Sequence, residues 1–166
     1  LYHRRQRQMC IRDRVHGASG GSGTIVGMEF SGEVVNFGNE VKELSIGDRV
    51  MCSGSSAWAE YAITDWGRVI KIPDNNMDFD TACTYPIALG TMHNAIITTG
   101  EFTKGQSILI QGASSGVGMM GLQIAKYMQA QIVIGTSTKT EKHDKLKQMG
   151  ADVIVNSKDP LSLIHI

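Results

Sequence analysis

Residues 107–118, SILIQGASSGVG, carry the clearest chemical signal in this chain. Four residues that suit a buried strand precede a loop of small residues, and a helical pattern follows; the four are Ile108, Leu109, Ile110 and Gln111. Glycines let a backbone approach a pyrophosphate closely, and the start of a helix offers N–H groups and a positive dipole end to that anion. The glycines stand at 112, 116 and 118, which departs from the full G-x-G-x-x-G spacing. The flanking elements must therefore decide the interpretation.

Other residues that could do chemistry are few. Cys52 and Cys83 are far apart and lack C-x-x-C spacing, which indicates neither a disulfide framework nor a zinc knuckle. We expect both to be small buried thiols in a reduced protein. We interpret His93 as a polar helix residue with a partly buried ring, and proton transfer is the less favoured alternative. His16 and His143 are expected at the surface.

Strand and helix patterns alternate on both sides of the glycine-rich turn. A helix over 81–99, interrupted near Pro86 and Gly90, comes first. A capping box at Thr138–Glu141 is expected to open the last helix, which Gly150 would close. Strands are predicted at 108–111, 131–135 and 153–155, with a helix at 117–129. This order predicts the beginning of a parallel doubly wound sheet.

The preceding part of the chain has a different character. Short strands separated by turns are predicted at 33–35, 49–51, 60–64 and 68–72. Strands at this spacing are typical of a small barrel or sandwich. The glycine-serine loop at 17–23 has no assigned role.

The two ends resemble translated sequencing adapters. Residues 161–166, LSLIHI, and 9–13, MCIRD, can be encoded by DNA strings that are reverse complements over most of their length. A genuine basic tail that binds nucleic acid is the alternative, but it does not account for inverted complementarity at both ends. We therefore exclude 1–14 and 161–166 from fold reasoning, and expect a partial catalytic domain at 15–80 and a partial nucleotide-binding domain at 81–160.

Excluding the ends changes the charge balance. The whole sequence has 16 basic and 16 acidic residues, and the ends contain five of the former and one of the latter. The remaining 11 basic and 15 acidic residues give a net charge of −4, so no nucleic-acid partner is expected. No apolar run is long enough for a membrane span, and we expect a cytoplasmic protein.

Several short motifs occur in a familiar order: GMEFSGEVV at 27–35, GDRV at 47–50, AEYA at 59–62, IP at 72–73, YP at 85–86, Thr91, and GASSGVG at 112–118. Together they resemble the medium-chain dehydrogenase/reductase superfamily, specifically its zinc-independent quinone oxidoreductase (zeta-crystallin-like) branch. The resemblance covers roughly residues 27–159. It implies an α/β protein: the end of a GroES-like β-rich catalytic domain, then the first half of a Rossmann-type doubly wound parallel sheet, with the active site between the two domains.

The resemblance also implies an activity. The parent enzyme, expected to be a homodimer, would transfer a hydride from NADPH to a small quinone or enone. Met28 stands where zinc-dependent members have a histidine ligand, so no metal is expected. Glu29, whose counterpart there lies behind the zinc, is expected to pair with a basic group. We expect no dyad of catalytic side chains, and the sequence identifies no catalytic residue.

The cofactor-binding residues predicted on this basis lie in three groups. Thr91 matches the family threonine near the nicotinamide, although a helix cap after Gly90 would equally account for it. No acid follows the second strand before Glu141, and that absence favours a 2′-phosphate over a free ribose hydroxyl. Lys142 matches the lysine that faces this phosphate, with Lys139 as the alternative. The remaining predicted contacts are Ala113, Ser114, Ser115, Gly116, Val117, Gly118, Ser137 and Thr138.

Two other classes of protein stay open at this point. Short-chain dehydrogenases also have a GASSG-x-G loop, but theirs follows the first strand near the N-terminus. A relative that binds NADPH without turnover, as a structural lens protein or an RNA-binding protein, is a further alternative.

Overall fold

The computed structural model describes residues 2–3, 25–73 and 76–159, and the chain divides into two units, Leu1–Ile87 and Ala88–Ile166. The glycine-serine loop at 17–23, the segment 161–166 and most of 1–14 lie outside the described residues.

The first unit contains a four-stranded antiparallel sheet in the order β1-β2-β3-β4. Its core packs around Phe30, Val50 and Cys52, whose apolar side chains alternate into one side of the paired β2 and β3. Cys83 is buried as well, so the prediction of two buried thiols is confirmed. The strands are β1 (Tyr2–His3), β2 (Glu29–Glu33), β3 (Arg49–Ser53) and β4 (Val69–Lys71).

Two of the strand predictions in this unit are wrong. The strand expected at 33–35 lies earlier in the chain. Strand β2 covers Glu29–Glu33, because this segment pairs with β3, and it ends where the predicted strand would begin. The strand expected at 60–64 does not form a ladder, and only Tyr61 makes an isolated bridge. Ala62 is nevertheless buried in the core, so the apolar pattern at 60–64 reflects one buried side chain and not a strand.

The long helix predicted at 81–99 is divided into three parts. Helix α1 (Phe79–Ala82) is capped by the Asp78 carboxylate, which accepts a hydrogen bond from the Thr81 N–H. Helix α2 (Pro86–His93) then continues into a π-helix at Asn94–Thr98. The break before Pro86 agrees with the prediction, because proline favours the first turn of a helix. The break expected at Gly90 is absent from α2.

The second unit confirms the predicted parallel sheet. Strands β5 (Ser107–Ile110), β6 (Ile132–Thr136) and β7 (Val153–Val155) pair in the order β5-β6-β7. Helices α3 (Gly116–Tyr127) and α4 (His143–Gln148) connect them, and the core packs around Leu122, Val133 and Leu146.

The predicted capping box before α4 is wrong. A 3-10 turn at Thr140–Lys142 precedes the helix, and its N-cap is Lys139, with no side-chain cap hydrogen bond. Gly150 ends α4 as expected, with a φ of +115° that a glycine adopts at little cost. Glu141 is therefore outside any capping box.

One face of the parallel sheet is uncovered in the part of the chain that the structure describes. Leu109 and Val153 lie in register on either side of Ile134, and they are 47% and 46% exposed. A groove of about 710 Å³ also runs beside β5, which pairs with β6 alone among the described strands. Parallel sheets are normally covered on both faces, so this sheet lacks packing partners within the described residues.

Candidate cofactor-binding site

The glycine-rich turn lies between the carboxyl end of β5 and the start of α3. Ser115 is the N-cap of α3: its hydroxyl accepts a hydrogen bond from the Gly118 N–H at 3.0 Å and donates to the Gly112 carbonyl at 2.9 Å. The N–H groups of Gly116 and Val117, the next two residues, have no protein acceptor among the described residues. These groups and the helix dipole therefore provide a binding position for an anion.

The turn is open on the side of Gly116 and tightly packed at Gly118. A Cβ atom added at Gly116 would have no heavy atom within 4 Å, so this side of the turn is open. A Cβ added at Gly118 would lie 2.4 Å from the Gly112 carbonyl oxygen, so this glycine permits close packing of α3 on the turn. The two glycines thus have different roles: Gly116 leaves room for a ligand, and Gly118 allows the turn to close.

The other predicted residues of the turn support it from behind or line its surface. Ala113 is completely buried in the core cluster, so its side chain packs and its N–H donates to the Thr136 carbonyl. Ser114 is half-buried, Ser115 is exposed, and Val117 is half-buried. Ser114 and Ser115 are therefore the turn side chains with surface to offer a ligand.

Sequence reasoning missed Thr136. Its hydroxyl accepts a hydrogen bond from the Gly112 N–H at 3.0 Å, so the end of β6 holds the start of the turn. The available signal was a threonine at the carboxyl end of the strand adjacent to the turn, since those strand ends meet at one edge of the sheet.

The residues predicted for the 2′-phosphate lie just beyond β6 but differ in accessibility. Thr138 and Lys139 are exposed, and Lys142 is half-buried. Ser137 is 3% exposed, and its hydroxyl accepts a hydrogen bond from the Lys139 N–H at 3.1 Å. The surface of this loop is thus formed by Thr138 and the two lysines, with the Ser137 hydroxyl beneath it.

The structure also locates Thr91, which was expected near the nicotinamide, and two of the histidines. Thr91 is exposed and lies inside α2, so the interpretation of Thr91 as a helix cap is wrong. His93 is exposed rather than partly buried. His143, expected at the surface, is half-buried, and its Nε2 atom is buried without a hydrogen-bond partner in the structure.

Glu29 has an unexpected partner. Its carboxylate accepts a hydrogen bond from the Ile87 N–H at 3.1 Å, in the first turn of α2, so the expected pairing with a basic group is wrong. Burial raises the pKa of this carboxyl, and the bond from Ile87 offsets part of the effect. Glu29 therefore caps a helix rather than binding a cation.

The described residues do not offer a metal site. No group of three or more His, Cys, Asp or Glu side chains lies together in the part of the chain that the structure describes. The adjacent Met28 has a thioether, which is a poor zinc ligand, and its residue is 44% exposed. Within the same residues, no helix is long and apolar enough to cross a membrane.

The chain is similar to two known protein families and to several individual proteins. The family described as "Alcohol dehydrogenase GroES-like domain" matches residues 5–74, and that described as "Zinc-binding dehydrogenase" matches residues 116–165. The chain is 29% identical to the chloroplastic NADPH-dependent alkenal/one oxidoreductase of Arabidopsis thaliana, over 80% of this chain and 36% of that protein. It is 36% identical to a highly reducing polyketide synthase of Didymella fabae, over 83% of this chain and 7% of that protein.

A solved structure agrees with these matches. The crystal structure of Escherichia coli quinone oxidoreductase complexed with NADPH superposes with a TM-score of 0.71 at 25% identity, covering 81% of this chain and 41% of that one. The chain thus spans less than half the length of these proteins.

The order of the two domains decides against the short-chain alternative, because a β-rich unit precedes the glycine-rich turn. A GroES-like domain followed by a Rossmann-type parallel sheet shows that this chain belongs to the medium-chain dehydrogenase/reductase superfamily, in its quinone oxidoreductase branch.

Proposed function

We propose that the intact protein is an NADPH-dependent oxidoreductase that reduces a small quinone or an activated alkene without zinc. The observation that carries the proposal is the turn at 112–118, where the N–H groups of Gly116 and Val117 have no acceptor among the described residues and the space beside Gly116 is open. The oxidoreductase relatives and the NADPH complex of a quinone oxidoreductase support the same conclusion. In this proposal the chain is part of a longer, cytoplasmic, homodimeric enzyme.

NADPH supplies a hydride, and quinones and enones are electron-poor enough to accept it with little Lewis-acid assistance. In this proposal the turn binds the pyrophosphate, and the loop that contains Thr138 and Lys142 binds the 2′-phosphate. Thr91 contacts the cofactor from the exposed side of α2. The chain's contribution is thus position and orientation.

The preference for NADPH rests on charge. No acid occupies the end of β6, where NAD-binding folds use a carboxylate for the ribose hydroxyls. Glu141 is exposed and free of the expected capping box, but it stands five residues beyond that strand. Lys142 and Lys139 leave the loop with a positive charge that suits a phosphate.

The test is a comparison of two neighbouring substitutions in the protein expressed from its complete reading frame. A charge-assisted contact contributes about 1.5–3 kcal/mol, so Lys142→Ala should weaken NADPH binding about ten- to a hundredfold and leave NADH almost unchanged. Glu141→Gln is the matched control, and it should weaken neither cofactor, because it removes a negative charge from the loop. Equal losses for both cofactors, or a wild-type preference for NADH, would refute the assignment of this loop.

Zinc independence has its own test. The family description names zinc, but we derive no step through zinc because the described residues do not offer a site for it. We expect dialysis against a chelator to leave activity intact and metal analysis to find no stoichiometric zinc. Loss of activity together with stoichiometric zinc would overturn this part of the proposal.

Turnover separates this proposal from the other candidates. Consumption of NADPH with 1,2-naphthoquinone or a similar acceptor is expected, and binding without consumption would favour a non-catalytic relative. The 36% identity to a polyketide synthase favours a second candidate, in which this chain is a segment of such a synthase. The length of the complete reading frame distinguishes the two, because the synthase match covers only 7% of that protein.

A further inference from the structure

Two consecutive hydroxyl residues are buried at the carboxyl end of β6. Thr136 is 4% exposed and Ser137 is 3% exposed, in a region where the surrounding side chains are largely apolar. Burial of a hydroxyl is unfavourable unless it forms hydrogen bonds, and both of these do. Their partners lie in two different loops, the glycine-rich turn and the loop that follows β6.

Thr136 is connected to the glycine-rich turn by two hydrogen bonds. Its hydroxyl accepts from the Gly112 N–H at 3.0 Å, and its carbonyl accepts from the Ala113 N–H at 2.9 Å. Gly112 has a φ of +63°, and its carbonyl oxygen in turn receives the Ser115 hydroxyl. Because α3 packs directly on that carbonyl at Gly118, the position of Gly112 fixes where the helix begins. The direction of the free N–H groups therefore depends on Thr136.

Ser137 is connected to the other loop. Its hydroxyl accepts from the Lys139 N–H at 3.1 Å, and its own N–H donates to the Val155 carbonyl at 3.0 Å. The bond to β7 fixes Ser137 in the sheet, and the bond from Lys139 fixes the first part of the loop that leads to Lys142. The hydroxyl is occupied and covered, so its position suits support of this loop better than direct contact with a ligand.

We infer that Thr136 and Ser137 are a pair of positioning residues that act on different parts of the cofactor site. Thr136 positions the turn that binds the pyrophosphate, and Ser137 positions the loop that binds the 2′-phosphate. This inference rests on the proposed function, because it assumes that the site binds NADPH. Neither residue touches the reacting atoms. Each acts through the backbone of the loop that it holds.

The inference predicts opposite selectivity for the two substitutions. Thr136→Val keeps the shape of the side chain and removes the acceptor for Gly112, so NADPH and NADH should both bind about three- to tenfold more weakly, with their ratio unchanged. Ser137→Ala should weaken NADPH by a similar factor and leave NADH within about twofold. Thr136→Ser retains the hydroxyl and should bind both cofactors with affinities close to those of the wild type. Thr98→Val, at an exposed threonine of the π-helix, is the matched control.

The experiment is fluorescence titration of the full-length wild-type protein and these variants with NADPH and with NADH, accompanied by thermal unfolding. Wild type is titrated first, and failure to bind either cofactor overturns the proposed function and this inference together. With wild type binding, unchanged affinities in Thr136→Val, or the same cofactor ratio in Ser137→Ala as in wild type, overturn the inference alone. If Thr136→Val does not unfold cooperatively, Ser137→Ala decides by its own criterion, and a loss of affinity for both cofactors in Thr136→Ser, which keeps the hydroxyl, overturns the inference.

Discussion

Gly118→Ala tests the geometry of the glycine-rich turn most directly. The new methyl group would lie 2.4 Å from the Gly112 carbonyl oxygen and 2.7 Å from the Ala113 Cα atom. Both atoms belong to the backbone, so neither can turn aside as the end of a flexible side chain could. The start of α3 and the turn must therefore separate by at least about 0.6 Å to bring the shorter contact to 3.0 Å.

Overpacking of this kind typically costs about 1–3 kcal/mol. Each kcal/mol lowers Tm by about 2–4 °C for 150–250 residues and by less for a longer protein, so we expect a decrease of at most about 12 °C in the full-length protein. The same displacement moves the N–H groups of Gly116 and Val117, and NADPH and NADH should lose affinity together. Differential scanning fluorimetry and cofactor titration of the full-length protein measure the two effects.

Gly116→Ala is the matched control, because a methyl group there would meet no atom within 4 Å. Its Tm should equal or exceed that of the wild type, since alanine is favoured over glycine in a helix by up to about 1 kcal/mol. Cofactor affinity should nevertheless fall, because the methyl group occupies space left open for the pyrophosphate. A wild-type Tm for Gly118→Ala, or an equal loss of Tm in both variants, would refute this reasoning.

Three further predictions follow from burial. Burial raises the pKa of Glu29 above its usual value, so ionisation of this carboxyl destabilises the folded state as pH rises through that pKa. Glu29→Gln removes this charge and should therefore raise Tm more near neutral pH than near pH of about 4. An equal effect at both pH values would contradict this prediction. Burial raises the pKa of Cys52 to about 12, so native protein should resist alkylation at Cys52 until it is denatured, as peptide mapping would show. Residues 15–160 expressed alone should self-associate through the uncovered sheet face around Leu109 and Val153, and a well-dispersed NMR spectrum of a monomer would show that this segment folds independently.

The sequence was sufficient for the local features of the second unit. Apolar runs and the small residues of the turn predicted β5, α3, β6 and β7 to within about two residues, because helix and parallel-strand patterns repeat over short distances. The same reasoning identified Gly150 as the end of α4, since its backbone conformation is a local property. The order of motifs was also sufficient to indicate the family.

Contacts distant in sequence were decided only by the tertiary structure. The Glu29 carboxylate reaches the Ile87 N–H across 58 positions, and β2 begins at Glu29 because β3 lies beside it. The Thr136 hydroxyl meets Gly112 across 24 positions, and Ser137 is covered although its residue type suggested an exposed ligand. Side-chain patterns predict which face of an element is apolar, but the partner of a polar group depends on which strand ends and helix termini meet in space.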